Sequence, residues 1–523
     1  MPAPAREKWW DKVFNGDSYK LANDTYLLWG DRVRVLKTHG DECMIAARGR
    51  TGTISKDLLG DETLLECYFI DVGQGDGVLV VTPEGHHLLI DGGLRRRLQQ
   101  TRKSAADFVD WKFYYDYLPA FERSDATKNQ IHLDAMIASH GDRDHYGGLD
   151  DLADRKAEET ADELNTTGIS VEAFYHPGLG PAEEGSDELG TKVDGFFVDL
   201  LGDRDSAVEA VKSAPSTSPT LRGEWRDFIK RVLQLETKSG DETPFARLSQ
   251  ESEFLPGFSA NDTSSELAIQ VLSPIEQDVG GNAGLRDLGD EGVNKNGHSI
   301  ALRLQYKDRS ILLTGDLNDK AQGDIIEHYG ASFATTWRSD VTKACHHGSH
   351  HVRHDFLVGV NALSTVFSSG DANTYDHPRA WVLGAAALSG RVIEDSAKHR
   401  LVAPLIYSTE IARSIALKGV DQLRGYDQEQ QYGREDASPS ETVSGDKTRA
   451  KWRLVLDRSS KSAADFPPVP AARVMRKLIY GLVNVRTDGK RLLFAVRNEG
   501  NASWAYEVME ADQIAGAVSK WTD

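Results

Sequence analysis

Apolar and polar positions along this chain form short runs that predict β-strands in several stretches. The clearest group starts near residue 64, where LLECYFIDVGQGDGVLVVTPEGHHLLIDGG contains three apolar runs joined by tight turns. Glycines and a Pro-Glu-Gly step supply those turns. The third predicted strand, His87–Ile90, ends in Asp91-Gly92-Gly93. It is therefore predicted to be a buried strand that delivers a carboxylate to a site at its C-terminal end.

The residue pattern of positions 1–60 differs from that of the main domain and predicts a separate small β domain. Short β-rich runs at Arg32–Leu36, Glu42–Ala46 and Thr51–Ile54 are separated by turns that contain glycine. The stretch resembles the bacterial SH3-like domains, which begin with a similar G-D-x-V-x-V strand. A small antiparallel barrel is the favoured interpretation, and a β-extension of the main domain is the alternative. Such a domain offers a surface for a protein partner.

Residues 151–260 are strongly acidic and contain helical patches such as GEWRDFIKRVLQLE. They predict a helical insertion, or cap, over the core, with most acids on a solvated face. Strand signals return at 266–274 and 298–317, the latter as a hairpin that turns at Lys307-Asp308. The main domain is therefore predicted to span 61–420. Residues 421–523 are predicted to form a polar, mobile loop followed by a β-rich extension.

Length and composition bound the class of protein. A chain of 523 residues is too long for one ordinary core, and 39% hydrophobic with 27% charged residues is typical of a soluble globular protein. No run of about 18 apolar residues predicts a transmembrane helix, and the N-terminus shows no secretory signal. The three cysteines are scattered, which argues against a disulfide framework. We expect a cytoplasmic protein without a membrane partner.

The net charge of −20 disfavours a general nucleic-acid coat protein, whose surface would be basic. It does not exclude a nuclease. Bound divalent cations supply local positive charge at the site where a phosphate must approach.

The strongest chemical signal is the segment MIASHGDRDHYGGL, in which an apolar run leads into four polar side chains. His140, Asp142, Asp144 and His145 fall within six residues directly after a predicted strand. Divalent metals need several nitrogen and oxygen donors that converge on one point, and a tight loop after a strand can present them. An acidic surface loop is the alternative, but two histidines and the Gly-Gly finish favour a metal loop.

Three later segments repeat this construction of an apolar strand followed by polar residues. SILLTGDL ends in Asp316, which can bridge two cations or be an ordinary strand-to-turn aspartate. DVTKACHHGSHHVRHDFL holds five of the sixteen histidines, of which His346 and His347 are the main candidates. VFSSGDANTYDHPRAWVL ends in a polar loop of the kind that carries binding residues. Strands that end at one edge of a sandwich would bring these side chains to a single site.

In this order, the motifs resemble those of the metallo-β-lactamase superfamily, and most closely the ComEC-like branch related to DNA uptake. The matching segments are FIDVGQGDGVLV, LLIDGG, SHGDRDHYGG, LLTGDL, HHGS and S-x-G-x-N-x-Y-x-H-P, across about residues 65–385. The resemblance implies an α/β fold, the αββα sandwich of the superfamily, here with a helical insertion and a small N-terminal β-barrel. It also implies a site for two divalent metal ions, Zn²⁺ or Mn²⁺, at the sheet edge.

The resemblance assigns a role to each motif residue. His140 and Asp142 would bind one metal, and Asp144 and His145 the other. Asp316 would bridge them, with His346, or the neighbouring His347, completing the set. Asp91 would lie behind the ligands and orient them, as carboxylates behind metal-binding histidines do.

Two features depart from the family pattern. Asp142 stands where the commoner H-x-H-x-D-H motif has its second histidine, and this harder ligand could admit manganese or magnesium. The usual histidine between the metal loop and the Gly-Asp strand is hard to place. His176 is the best candidate for that ligand, and an ordinary surface histidine is the favoured alternative.

We expect hydrolysis by a metal-activated water that Asp144 orients. His377, Asn373 and Ser349 are expected to contact a phosphate, and His377 to act on the leaving group. A phosphodiester in DNA or a nucleotide is the preferred substrate, which makes nucleic acid or a nucleotide the expected partner. Hydrolysis of a small ester, lactone, thioester or phosphorylcholine ester is the alternative, because one fold hosts many reactions. The second class of function considered is a non-catalytic binding module on the same fold.

Overall fold

The computed structural model describes most of the chain. The described residues are 10–23, 25–99, 102–154, 164–182, 189–212, 219–261, 265–370, 377–395, 399–409, 481–497 and 503–519, with the backbone of strands Val420–Tyr426, Arg434–Ala437 and Lys451–Leu456. Those last three strands pair with one another in a small antiparallel sheet. The predicted phosphate contact Asn373 lies outside the described residues.

Two large β-sheets form the centre of the molecule. The nine strands of the first sheet are, in spatial order, Phe245–Arg247, Phe174–His176, Ala135–Ile137, His87–Ile90, Val78–Val81, Leu65–Phe69, Val483–Thr487, Leu492–Arg497 and Trp504–Met509. The six strands of the second sheet are Leu267–Ser273, Ala301–Tyr306, Arg309–Leu313, Val341–Lys343, Ser364–Phe367 and Leu405–Ser408.

The two sheets share one hydrophobic core, because alternate strand residues point to opposite faces. In the first sheet Val78 and Val80 belong to the same buried cluster as Leu302 and Leu304 of the second sheet. The intervening Leu79 faces the other way, toward helices. The predicted hairpin at Lys307-Asp308 joins two neighbouring strands of the second sheet.

Helices cover both outer faces, so that the layers run helix, sheet, sheet, helix. Helices of the first side are Ala105–Trp111, Arg143–Ala153, Arg204–Ala210 and Gly223–Val232. Helices associated with the second sheet and its loops are Glu291–Gly297, Asp319–Tyr329, Phe333–Trp337, His354–Val360 and Ala380–Ser389, and Ala511–Ala515 closes the chain. This is the predicted αββα sandwich. None of the described helices combines the length and apolar character needed to cross a bilayer.

Shorter elements complete the described chain. The remaining helical turns are Lys56–Leu58, Arg96–Leu98, Lys112–Tyr117, Gln250–Ser252, Gly330–Ser332 and Cys345–Gly348. The remaining strands outside the N-terminal region are Gln130–Leu133 with Gly168–Val171, Lys192–Val193 with Phe196–Phe197, Glu276–Val279 with Asn282–Arg286, and Ile393–Asp395 with Arg400–Ala403. All three cysteines are buried and free, as expected from their spacing.

The N-terminal region forms its own antiparallel sheet around its own core. Its strands are Arg50–Ser55, Glu42–Ala47, Arg32–His39, Lys12–Phe14 and Leu59–Gly60 in spatial order, and the hairpin Ser18–Lys20 with Tyr26–Leu28 lies beside them. Phe14, Val33 and Ile45 are buried in a separate cluster. The assignment of this region as a separate small β domain, and its likeness to SH3 domains, stay predictions.

The predicted insertion and extension both contribute to the first sheet. Within 151–260, Phe174–His176 and Phe245–Arg247 are strands at one edge, so this segment is not helical throughout. Within 421–523, Val483–Thr487 pairs antiparallel with Leu65–Phe69 and brings two further strands to the other edge. Strands distant in sequence thus complete the sheet on both sides.

Candidate metal centre

Parallel strands bring the motif residues to one edge of the sandwich. His87–Ile90 pairs parallel with Ala135–Ile137 in the first sheet. In the second sheet Arg309–Leu313, Val341–Lys343 and Ser364–Phe367 are parallel neighbours. Because parallel strands end at the same edge, the loops that follow them meet there.

The metal loop begins at the end of Ala135–Ile137 and runs into helix Arg143–Ala153. His140 is 1% exposed, and Asp142 occupies the N-cap position of the helix. Asp144 and His145 lie in its first turn, so the helix holds both side chains in position. The rings of His140 and His145 are 4.0 Å apart between centroids.

The centre of the site is a buried group of two histidines and two aspartates. Asp76, His145, Asp316 and His347 each offer a ligand atom, and these atoms lie within 4.8 Å of one another. The Nε2 atoms of His145 and His347 are each 3.1 Å from Oδ2 of Asp316. One carboxylate oxygen thus faces two histidine nitrogens from different loops.

Asp91 lies directly behind His145, on the side away from Asp316. Its Oδ2 is 2.8 Å from Nδ1 of His145. The backbone nitrogen and hydroxyl of Ser139 donate to the two oxygens of Asp91 at 2.7 and 2.6 Å. A carboxylate that binds the outer nitrogen of a histidine sets the ring's orientation and turns Nε2 inward, which is how proteins prepare a metal ligand.

Asp76 occupies the same place behind His347, a role that the sequence motifs did not reveal. Nδ1 of His347 is 3.1 Å from Oδ1 of Asp76 and 3.1 Å from the carbonyl oxygen of Ser368. In the sequence, Asp76 is part of the segment GQGDG, and the glycines of that segment by themselves predict only a turn. Gly75 has φ of +113°, and a Cβ there would lie 1.8 Å from the carbonyl oxygen of Asp144. Glycine lets this turn pack against the metal loop.

His347, rather than His346, projects into the centre. His346 and His347 both adopt left-handed backbone conformations, with φ of 45° and 54°. His347 is 2% exposed, whereas Nε2 of His346 is 3.8 Å from Asp316 Oδ2 and 3.4 Å from the side-chain nitrogen of Asn296. Left-handed conformations are uncommon for residues other than glycine, and their presence here is typical of a functional loop.

The two remaining acids of the metal loop contact different residues of the site. Asp144 Oδ2 is 3.6 Å from His347 Nε2 and accepts a hydrogen bond of 2.9 Å from the side chain of Gln74. Asp142 Oδ2 is 3.7 Å from His140 Nε2, and its other oxygen is 2.7 Å from Nζ of Lys295. A lysine therefore balances the charge of the aspartate that replaces the family's second histidine.

A second lysine, Lys343, is buried inside the site and was likewise not predicted from the sequence. Its Nζ forms an ion pair with Asp76, lies 3.3 Å from Oδ1 of Asp316 and donates to the carbonyl oxygen of Gly315 at 2.8 Å. Burial works against the charged form, but Asp76 and Asp316 outweigh it and raise the pKa of Lys343. One oxygen of Asp316 thus faces a lysine and the other faces the histidines.

The electrostatics of this group favour a bound cation. Burial lowers the pKa of His145, but the charges of Asp316 and Asp91 outweigh it and raise that pKa well above its usual value. For His347, the effect of burial on the pKa is outweighed in the same way by Asp316 and Asp76. The buried Nε2 atoms of His145 and His347 both face Asp316 Oδ2, and that of His140 faces Asp142. Inward-facing nitrogens among carboxylates are a donor set that suits Zn²⁺ or Mn²⁺.

The predicted substrate contacts fall in different places. His377 is buried beside the site, its ring centroid 5.7 Å from that of His346 and 6.3 Å from that of His347. Burial, together with the charges of His347 and His346, lowers the pKa of His377 to about 3. Ser349 is also buried, and its hydroxyl accepts a 3.4 Å hydrogen bond from the backbone of His351.

His176 is fully buried, so the interpretation of it as a surface histidine is wrong. It lies on an inner strand of the first sheet, where its ring packs 4.6 Å from that of Phe245. Its Nδ1 accepts a 3.0 Å hydrogen bond from the backbone of Gly178, and burial lowers its pKa to about 3. His176 is not among the four residues of the central group.

Comparison with known proteins agrees with this architecture. Residues 70–161, which include the metal loop, match the family model of the metallo-beta-lactamase superfamily. The chain therefore carries a metallo-β-lactamase domain, and its described layers form the sandwich of that superfamily.

Two curated proteins are similar to parts of the chain. Competence protein ComA of Neisseria gonorrhoeae is 35% identical over 95 residues, 18% of this chain and 13% of that protein. ComE operon protein 3 of Bacillus subtilis (strain 168) is 24% identical over 323 residues, 61% of this chain and 30% of that protein. The chain thus spans less than a third of either relative. These similarities support the ComEC-like branch of the superfamily.

Two solved structures are also similar to the chain. The metallo-beta-lactamase fold protein YhfI from Bacillus subtilis is 12% identical, with 58% of this chain and 85% of YhfI covered and a TM-score of 0.26. A protein of unknown function from Enterococcus faecalis V583 is 11% identical, with 57% of this chain and 56% of that protein covered and a TM-score of 0.23.

Proposed function

We propose that this chain is a metal-dependent hydrolase that cleaves phosphodiesters in DNA or a nucleotide. The observation that supports this most directly is the buried group of Asp76, His145, Asp316 and His347 at the edge of a metallo-β-lactamase sandwich. The Nε2 atoms of its two histidines face inward, toward one oxygen of Asp316.

Two metal ions would be held by residues of three loops. His140 and Asp142 would bind one ion, and Asp144, His145 and His347 the other. Asp316 would offer its Oδ2 as a ligand, since its Oδ1 faces Lys343. Bound there, the ions would lower the pKa of a coordinated water and stabilise negative charge on the phosphate.

The protein's own residues would prepare this chemistry. Asp91 and Asp76 orient His145 and His347 through their Nδ1 atoms. Gln74 donates to Asp144 and so fixes the carboxylate that would accept a proton from the attacking water. His377 lies at the side of His346, where its ring would contact a phosphate oxygen or the leaving group.

The preference for a phosphodiester is supported by the relatives. The two curated proteins that match the chain are named as a competence protein and a ComE operon protein, and DNA is the natural substrate class to test. In a chain with a net charge of −20, bound divalent cations would supply local positive charge where a polyanion approaches.

The test combines metal analysis with a substrate panel. We expect the purified chain to bind close to two equivalents of Zn²⁺ or Mn²⁺ and to hydrolyse bis-p-nitrophenyl phosphate. Single-stranded DNA, duplex DNA, RNA, cyclic nucleotides and simple esters then define the substrate. Asp316→Asn should abolish activity and weaken metal binding, whereas the exposed Asp41→Asn should change neither.

Two results would contradict the proposal. Hydrolysis of esters or lactones with no cleavage of any phosphodiester would assign the site to the alternative substrate class. Metal binding without hydrolysis of any substrate in the panel would indicate a non-catalytic binding module on this fold.

A further inference from the structure

A polar cavity lies at the edge of the second sheet that is opposite to the candidate metal centre. It has a volume of about 370 Å³, within the range of small-molecule sites. Arg309 stands at the start of the strand Arg309–Leu313, whereas Asp316 follows that strand's other end. The five extended residues of that strand span roughly 16 Å. The cavity is therefore a separate place on the molecule.

Arginine dominates the lining of this cavity in a protein that is otherwise strongly acidic. Its walls include Arg303, Arg309, Arg338 and Arg391, against only two acids, Asp308 and Asp340. This local excess of positive charge contrasts with the −20 of the whole chain. Such a concentration of guanidinium groups is what recognition of a multiply charged anion requires.

One acid is shared between two of the arginines. Nη2 of Arg391 is 2.7 Å and Nη1 of Arg309 is 3.6 Å from Oδ1 of Asp340. Oδ2 of Asp340 accepts a 2.9 Å hydrogen bond from the backbone of Ser310. Asp340 is thus fully engaged, and it fixes these two guanidinium groups in the wall.

The other two arginines form no ion pair within the described part of the chain. Arg303 donates to the carbonyl oxygen of Arg338 at 3.0 Å and to the side chain of Gln270 at 3.1 Å. Burial lowers the pKa of Arg338, and the charge of Arg391 lowers it further. Like charges held together without enough acids would be stabilised by an anion between them.

The lining also includes three apolar residues. These are Ile514 and Ala515 of the described helix Ala511–Ala515, and Ala517 just after it. A bare inorganic ion would have no use for apolar contacts. An anion with an organic part would contact both the arginines and these residues.

We propose that this cavity binds a small phosphate ester, with the phosphate between the arginines and the organic part against the C-terminal helix. A nucleoside monophosphate has this chemistry and a suitable size. The proposal is independent of the metal centre and of the hydrolase activity.

The test measures binding of thymidine monophosphate to the full chain by titration calorimetry. Thymidine, inorganic phosphate and a single-stranded oligonucleotide are the comparison ligands. We expect thymidine monophosphate to bind, inorganic phosphate to bind more weakly and thymidine not to bind. Asp316→Asn, which disables the metal centre, should leave this binding unchanged.

Arg338→Gln should weaken the binding tenfold or more, because it removes a charged donor pair. Arg338→Lys should restore part of the loss, since it keeps the charge without the planar fork. The matched control is Arg400→Gln, whose side chain is 64% exposed and 3.8 Å from Asp395. Protection of Arg338 from phenylglyoxal by thymidine monophosphate, read by mass spectrometry on the unmodified sequence, tests the same site without a substitution.

Several results would overturn the proposal. Equal affinity of the wild-type and Arg338→Gln proteins, with no protection of Arg338, would exclude the cavity. Loss of binding in Asp316→Asn alone would place the ligand at the metal centre. Binding of the oligonucleotide but not of the monophosphate, dependent on Arg338, would show a contact for a nucleic-acid backbone instead.

Discussion

Oδ1 of Asp76 lies 3.1 Å from Nδ1 of His347, so a turn near the start of the main domain orients a histidine of the second sheet. The same relationship joins Asp91 to His145 within the first sheet. Both histidines therefore have a carboxylate on the outer nitrogen and Asp316 Oδ2 facing the inner one. The centre therefore contains two similar aspartate–histidine pairs. Asp91 and His145 both follow strands of the first sheet, whereas Asp76 precedes a strand of the first sheet and His347 follows a strand of the second.

The first prediction concerns Asp76. Asp76→Asn should weaken metal binding roughly 10- to 100-fold, because the outer partner of a metal-binding histidine sets its orientation and basicity. Titration calorimetry with Zn²⁺ and Mn²⁺ measures the change, and Asp41→Asn is the exposed control. Since Asp76 also pairs with buried Lys343, thermal unfolding of each variant is measured in parallel. A folded Asp76→Asn protein with unchanged affinity would remove Asp76 from the site.

The second prediction concerns Lys295, which lies 2.7 Å from the outer oxygen of Asp142. Lys295→Met removes a positive charge near the expected cation, so Mn²⁺ should bind roughly threefold tighter or more at low salt. The gain should shrink as salt is added. Weaker binding of Mn²⁺ would show instead that Lys295 acts mainly by holding Asp142 in place.

The third prediction uses Gly75 to test the contact between the turn and the metal loop. Gly75→Ala would bring a Cβ to 1.8 Å from the Asp144 carbonyl oxygen, so we expect loss of metal binding and a fall in stability beyond the cost of the backbone conformation. Gly195→Ala is the matched control, because Gly195 has φ of +82° and an added Cβ there would meet no atom within 4 Å. The control should lose only about 1–2 kcal/mol.

Equal losses of stability in the two glycine variants, with metal binding intact in both, would contradict this prediction. The loop at Gly75 would then be able to move away from Asp144 without any effect on metal binding.

The fourth prediction concerns pH and the buried ion pairs between the N-terminal sheet and the first sheet. Asp31 is 2.8 Å from Nη1 of Arg486 and 2.5 Å from Nε of Arg48. Burial raises the pKa of Asp31, but the two arginines outweigh it and hold that pKa well below its usual range. A carboxyl with a depressed folded-state pKa stabilises the fold above its unfolded value of about 3.9, and this contribution is lost as the pH falls toward the folded value.

Urea unfolding between pH 7 and pH 3 measures this effect. Asp31→Asn should lower the free energy of unfolding at pH 7 by about 3 kcal/mol, because it leaves buried arginines with one fewer partner. The difference between the variant and the wild-type protein should narrow as the pH falls below 4. A difference that stays constant over this range would show that the ionised form of Asp31 is not what stabilises the interface.

The amino-acid sequence by itself determined the parts of the site that are local. His140, Asp142, Asp144 and His145 follow one strand within six residues, so their proximity needs only a tight loop and a helix start. Short apolar runs likewise predict the buried strands, since each strand's pattern is contained within its own segment. The strands and the metal loop were therefore predictable from the residues, whereas the sandwich was predicted from the resemblance to the metallo-β-lactamase superfamily.

Only the tertiary structure decided which of two adjacent histidines reaches the centre and what lies behind it. His347 projects inward because of left-handed backbone at both positions, which no pattern of residue types encodes. Asp76 and Lys343 acquire their places only when the two sheets pack and bring distant loops to one edge. Contacts between remote segments depend on the whole fold, because their energies come from burial and charge that no segment contains alone.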